Sequence, residues 1–121
     1  MPYARITSNV AKDSVDIATA SNAIAKTLNE AWGVPAQFMM VEMNLGTSML
    51  LNLNNEPAAY VHGRMIGKID AKHNPNTIAL LTKTVSEQLN VPADRVYVVL
   101  EDIKLGNWGA NGVTVIPPTK H

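Results

Sequence analysis

The tripeptide Val34-Pro35-Ala36 recurs as Val91-Pro92-Ala93, and the 57-residue shift that superposes the two also aligns other positions. It places Tyr3 on Tyr60 and Lys26-Thr27 on Lys83-Thr84. It also places Gly33 on Asn90, the two residue types that most readily take the left-handed conformation at a helix end. The helix-stop signals therefore coincide along with the letters. A chain built this way is constrained to fold as two copies of one unit, and the periodicity within each copy says which unit.

In the first copy, residues 2–8 alternate Tyr3, Arg5 and Thr7 against Ala4, Ile6 and Ser8, the period of a strand. Asp13 or Ser14 then offers an N-cap. Ile17, Ala20, Ile24, Leu28 and Ala31/Trp32 follow at helical spacing. Gly33 supplies the left-handed stop, and Pro35 forbids resumption. Residues 38–43, with three methionines, read as a mostly buried strand filled by Met39, Met40 and Met43. From 44 to 57 the pattern weakens into loop, with a short strand expected within 48–53. Residues 58–66 resume as a strand, and Asn74-Pro75 reads as an N-cap followed by proline at the first helical position. Ile78, Leu81, Val85 and Leu89 mark the second helix, Asn90 and Pro92 end it, and residues 95–100 form a last buried strand.

Each half is thus a β-α-β unit, whose crossover is right-handed. The expected fold class is α+β: a single domain over 1–121, with repeats at 2–56 and 57–116 giving a four-stranded mixed sheet with two helices on one face. Two helices cannot cover both sides of strands as apolar as these. The other face and the sheet edges are therefore expected to meet partner subunits in a symmetric homo-oligomer. The tail from Val113, with Pro117-Pro118, is expected to run extended along a neighbour or to fray.

Ten basic and ten acidic residues cancel, which leaves no electrostatic footprint for nucleic acid and no polybasic segment for an anionic membrane. No apolar run approaches the roughly 20 residues that cross a bilayer. With no cysteine there is no disulfide framework and no thiolate chemistry. No charged and then apolar leader opens the sequence, so the expectation is a cytoplasmic protein.

The chemistry that stands out is at the start. A small second residue lets the initiator methionine be trimmed, and trimming would expose the secondary amine of Pro2. A free α-amino group has a pKa of about 8. Burial in an apolar pocket disfavours its charged form and brings that value toward neutrality, where a general base works best. Proline at the head of a strand is also sterically ordinary, so Met-Pro alone leaves the catalytic reading open.

Other candidates have plainer readings. Tyr97 reads first as a core tyrosine, and Trp108 as a packing anchor whose indole N–H needs a partner. His62, His73 and His121 lack metal-ligand spacing, so neither metal nor cofactor is expected. Glu42, Glu101 and Asp102 sit at strand ends and can be either an acid–base pair or solvated carboxylates.

Taken together, several motifs resemble those of the tautomerase superfamily, of the macrophage migration inhibitory factor and D-dopachrome tautomerase type. They are Met1-Pro2, Asn9-Val10, Gly33-x-Pro35, Glu56-Pro57, Ile66-Gly67-Lys68-Ile69, Pro92-Ala93-Asp94-Arg95-Val96-Tyr97 and Trp108-Gly109-x-Asn111-Gly112. The ordered set covers nearly the whole chain, up to about Val115. The resemblance implies a homotrimer of such subunits with pockets at their interfaces. It implies Pro2 as the base of a cofactor-free keto–enol tautomerase acting on a small carbonyl compound, phenylpyruvate-like or dopachrome-like. It also implies Ile66 as a substrate-binding residue through its backbone N–H, with Met65 flanking that contact, and Tyr97 reaching in from a neighbouring subunit.

The chain departs from the family pattern at several positions. Val34 stands where the family has a lysine that binds the substrate's carboxylate, which makes Val34 a changed pocket wall. Val99 replaces an Asn, and Val115 a phenylalanine of the rim. Asn52-Leu53-Asn54-Asn55 replaces a Gly-Gly-Ser turn, and Ala58 and Val61 stand where some members carry Cys-x-x-Cys. Arg64 and Lys68 lie near the pocket strand and can supply the missing charge.

The leading reading is an isomerase with Pro2 as catalytic residue. The alternative is a binding or cytokine-type protein that keeps the scaffold with weak or no turnover, engages an unknown receptor and is released without a leader. A third is a ferredoxin-like domain that binds a small effector.

Overall fold

The computed structural model describes residues 2–115; Met1 and residues 116–121, which include Pro117-Pro118 and His121, lie outside them. The order of elements is β1 (Tyr3–Ser8), α1 (Ile17–Trp32), β2 (Met40–Asn44), β3 (Ala59–Met65), α2 (Asn74–Leu89) and β4 (Val96–Asp102), closed by a small hairpin of β5 (Gly109–Ala110) and β6 (Val113–Thr114). The first four strands form one mixed sheet in the order β2-β1-β3-β4. β2 runs parallel to β1 and β4 parallel to β3, while β1 and β3 pair antiparallel at the centre. This is the expected α+β fold.

The registers are alike in the two halves: Tyr3 faces Met40, and Tyr60 faces Tyr97. The two helices meet where Thr27 and Thr84, 57 residues apart, share a 2.6 Å hydrogen bond between their hydroxyls. Gly33 and Asn90 both end their helices in the left-handed conformation, at φ 71° and 58°.

The helices bury Ile24, Leu28, Leu81 and Val85 completely against Ala4, Ile6 and Val61 of the sheet. Trp32, also buried, lies over Gly63, where an added Cβ would stand 3.0 Å from Leu100 Cδ2 and 3.3 Å from Trp32 Cη2. The trimmed side chain is therefore what lets the end of α1 approach the sheet. The buried Trp32 Nε1 finds no hydrogen-bond partner among the described residues.

Strand alternation sends Tyr3, Arg5, Met40, Glu42, Tyr60, His62, Arg64, Tyr97, Val99 and Glu101 to the side away from the helices. No element among the described residues covers that side. Met40 is consequently 65% exposed and Tyr97 59% exposed in a single chain.

Several expectations need correction. The cap of α1 is Asp16, not Asp13 or Ser14, because residues 12–14 form a separate 3₁₀ turn and Val15 is extended before the helix starts. The second strand opens at Met40 rather than Phe38, and the last at Val96 rather than Arg95, since each follows a 3₁₀ turn, Ala36–Phe38 or Ala93–Arg95. Residues 48–53 form no strand. Asn52 and Leu53 adopt φ 53° and 60°, a tight reversal that closes a lone bridge between Leu51 and Asn54. Asn74 is inside α2 rather than its cap. His73 holds the cap position, and Asp70 Oδ1 accepts the N–H groups of Lys72 and His73 ahead of it. Met40 is surface, not core, because it lies on the uncovered side.

Asp16 Oδ1 accepts the Thr19 N–H at 3.1 Å, and this bond holds its carboxyl below the ordinary 3.8. A depressed folded-state pKa stabilises the fold fully above the unfolded value and loses that stabilisation as pH falls through the folded one. Asp16→Ala is expected to lower the thermal midpoint at pH 7, with the gap to wild type closing as pH drops below about 3.8. Equal midpoints at pH 7 would remove the cap from the account.

Candidate active site

Pro2 stands one residue ahead of β1, where lacking an N–H costs no ladder bond. Its carbonyl accepts the Met40 N–H at 3.1 Å, which ties the chain start to β2, and its ring is fully buried. Beside it opens a cavity of about 550 Å³. Tyr3 and Met40 come from the heads of the two paired strands, Phe38 from the turn before β2, and Arg64 from β3. Ile103 and residues 107–110, including Asn107 and Trp108, close the opposite side.

The last segment is held there by backbone bonds. Ile103 N–H donates to Met65 O at 2.9 Å, Asn107 N–H to Lys104 O at 2.9 Å, and Val115 N–H to Trp108 O at 2.8 Å. Trp108, expected as a packing anchor, is thus a cavity wall. Apart from Arg64, the lining among the described residues is apolar or uncharged.

Arg64 is directly opposite Tyr3 in the central ladder. Its guanidinium carbon lies 5.5 Å from the Tyr3 ring centroid, within cation–π range. Arg64 Nε donates to Glu101 Oε1 at 3.2 Å, and the same oxygen is 2.9 Å from His62 Nε2. On the other flank, the Tyr3 hydroxyl donates to Glu42 Oε1, Asn44 Nδ2 donates to Glu42 Oε2 at 3.2 Å, and Arg5 Nε is 3.5 Å from the same carboxylate. The Tyr3 bond first, with Asn44 and Arg5 behind it, holds the Glu42 carboxyl below its ordinary 4.5. Glu42 and Glu101 are each engaged by cations and do not form an acid–base pair with each other. Asp102 accepts the Gly67 N–H at 3.1 Å.

Of the residues singled out in the sequence, Pro2 lines this cavity within one chain. Met65 is buried in the core, and Ile66 follows it, half-buried, at the end of β3. Tyr97 projects from the uncovered sheet face on β4. Val34 is half-buried against the core, with its carbonyl accepting Asn29 Nδ2 at 2.8 Å. Lys68 stands beyond β3 at φ 66° and takes no part in the lining, whereas Arg64 does. Phe38, Met40, Ile103 and Asn107 carried no signal as site residues, because their convergence depends on strand register and on the course of the chain after β4. Among the described residues, no three His, Cys, Asp or Glu side chains cluster as a metal site would need. No helix among them is long and apolar enough to cross a membrane.

The family model described as macrophage migration inhibitory factor (MIF) matches residues 1–116. The chain belongs to the macrophage migration inhibitory factor family. Within the tautomerase superfamily, it is 34% identical over 114 residues to macrophage migration inhibitory factor of Xenopus laevis, across 94% of this chain and 98% of that one. A crystal structure of the homologue from Prochlorococcus marinus matches with a TM-score of 0.83 at 28% identity, over 93% of this chain and 97% of that one. The factor from Trichinella spiralis has the same fold, with a TM-score of 0.88 at 19% identity, over 93% and 99%. In this member of the MIF family, the start of β1 and the cavity beside it are bound together by Tyr3, which contacts both Glu42 and Arg64.

Replacing Tyr3 with Phe deletes the hydroxyl while keeping the ring over which Arg64 lies. The Glu42 carboxyl is then expected to titrate higher, toward 4.5, in a carbon-detected NMR titration of its side chain. An unmoved titration would show that the Tyr3 hydroxyl does not set it.

Proposed function

We propose that this chain is a cofactor-free keto–enol tautomerase in which Pro2, freed by removal of Met1, is the general base. The observation that carries this reading is a fully buried proline at position 2 on the wall of a largely apolar cavity. Desolvation there disfavours the protonated imino nitrogen, and the rigid pyrrolidine ring fixes the direction of its lone pair. The base takes a proton from the carbon next to a carbonyl; the C–H pair moves into a C=C bond and the carbonyl pair onto oxygen. Returning a proton to that oxygen gives the enol, and the reverse sequence gives the ketone. The developing oxyanion needs donors placed in advance. The Ile66 backbone N–H and the hydroxyl of Tyr97 from an adjoining subunit are assigned that role, with Met65 flanking and Val34 a wall without charge. The substrate class is a small enolisable carbonyl compound of phenylpyruvate or dopachrome type.

That assignment needs a homotrimer. Uncovered Met40, Tyr97 and Val99 on the sheet face, and unpaired outer edges on β2 and β4, support one. Sedimentation at micromolar concentration is expected to give three times the 13.1 kDa chain mass, and a monomer would contradict the shared pocket. The proposed location is the cytoplasm.

A second reading, a receptor-binding protein of cytokine type, is favoured by Val34, which places an apolar side chain at the end of α1 where the family has its carboxylate-binding lysine. Enol–keto exchange across aryl and aliphatic pyruvates separates the two, since a pure binding protein exchanges none. Pro2→Gly, or an Ala inserted ahead of Pro2, is expected to lower kcat/KM by about 10²–10⁴-fold, the usual contribution of a positioned base. Full activity in either variant would remove Pro2 from the chemistry.

A further inference from the structure

Among the described residues, Arg64 is the one charged side chain that lines the Pro2 cavity, and no carboxylate of theirs lines it. The guanidinium is held without being used up. Among the described residues, Nε alone is engaged, by Glu101 Oε1 at 3.2 Å, and no partner takes the two Nη groups. Glu101 divides its charge, since the same oxygen also contacts His62 Nε2 at 2.9 Å. The guanidinium carbon lies 5.5 Å from the Tyr3 ring centroid, a second restraint that leaves the N–H edge available. The side chain is 44% exposed, so an incoming ligand need not desolvate a buried ion to reach it.

A planar guanidinium with two free Nη groups matches a carboxylate bidentately, a geometry that an ammonium cannot offer. The remaining walls, Phe38, Met40, Ile103 and Trp108, suit a flat apolar body. Position fixes the rest. Tyr3 follows Pro2 in the chain and pairs directly with Arg64 across the central ladder, where opposed Cα atoms stand about 4.5–5.5 Å apart. The anion site and the base are therefore neighbours on one rim. Lys68, the nearest other cation in the sequence, lies outside the lining, and Val34 has no charge to offer.

We propose that Arg64 is the anion anchor of this cavity, gripping the carboxylate of a small aryl- or alkyl-substituted monocarboxylic acid through its Nη pair and thereby setting specificity for acids over their neutral analogues. The turnover part of this inference rests on the tautomerase reading; the binding part does not. Glu101 and His62 are positioning residues that aim the guanidinium from the adjoining strand positions.

The test uses two ligands of matched shape, 3-phenylpropanoate and 3-phenylpropanamide, titrated into the intact protein by NMR. Arg64→Gln is expected to weaken the carboxylate about tenfold or more and to leave the amide within twofold, with Arg64→Lys recovering part of the loss. A carboxylate that binds wild type and R64Q alike, or that does not bind wild type, overturns the anchor. So does a parallel loss of both ligands in R64Q and R64K. Enol phenylpyruvate and its methyl ester then supply the kinetic arm. There R64Q is expected to raise KM for the acid about tenfold more than KM for the ester. If the acid binds through Arg64 and is never turned over, the tautomerase reading fails while the anchor stands. If it is turned over with KM indifferent to R64Q, the anchor fails and that reading stands.

Discussion

The antiparallel pairing of β1 with β3 joins the two β-α-β halves, and the location of the site follows from it. These two strands are the inner pair of the sheet, and each carries its own half's parallel partner on its outer side. Because the ladder sets Tyr3 against Arg64 and Ile6 against Val61, one strand face packs its small and aliphatic residues under the helices while the other collects aromatic and charged groups. A one-residue slip of β1 would turn Arg5 under the helices, and one of β3 would turn Arg64 and His62 there, charges that are costly to bury. The apolar alternation of β1 and β3 is thus what holds the register. The register in turn delivers a guanidinium to the edge of the cavity beside Pro2.

The same arrangement explains the polar network on the uncovered face. Glu42 and Glu101 occupy outer strands at positions flanking the central cations, so each carboxylate meets an arginine across the ladder, Arg5 and Arg64 respectively. Exposed pairs of this kind add little to stability. What they add here is orientation, since Tyr3 and Arg64 are restrained from both sides. Met40, Tyr97 and Val99 share this face and have no such partner among the described residues. A surface that mixes clamped charges with unclamped apolar side chains suits burial against further copies better than open water.

Much of this was legible in the sequence, for reasons that can be named. Gly33 and Asn90 announced their helix ends because a left-handed cap tolerates few other residue types, and the repeat doubled every such signal. The element types and the position of Pro2 needed no tertiary information. The errors fell where local patterns compete: Asp13, Ser14 and Asp16 are all good caps, and only the extended Val15 decides among them. Phe38 and Met39 look like strand residues by composition, yet the turn after Pro35 claims Phe38 first. Met40 reads as core until the sheet is seen to have helices on one side only. The cavity walls were least legible. Arg64 is beside Pro2 through a strand register, and Ile103 and Trp108 through the path of a loop, neither of which periodicity encodes.

The functional reading converges on the imino nitrogen of Pro2. Its ring is buried and its carbonyl is tied to β2; the lining that surrounds it is mostly apolar, with Arg64 as the nearby cation. Both desolvation and a neighbouring positive charge push an amine the same way, toward losing its proton. The most direct measurement is an intact mass of the purified protein followed by nitrogen-15 NMR titration of residue 2. The account predicts a mass without Met1 and a Pro2 nitrogen titrating well below the value of about 8 for a free α-amino group. A retained Met1, or a nitrogen titrating near 8 as it would in open water, would contradict it.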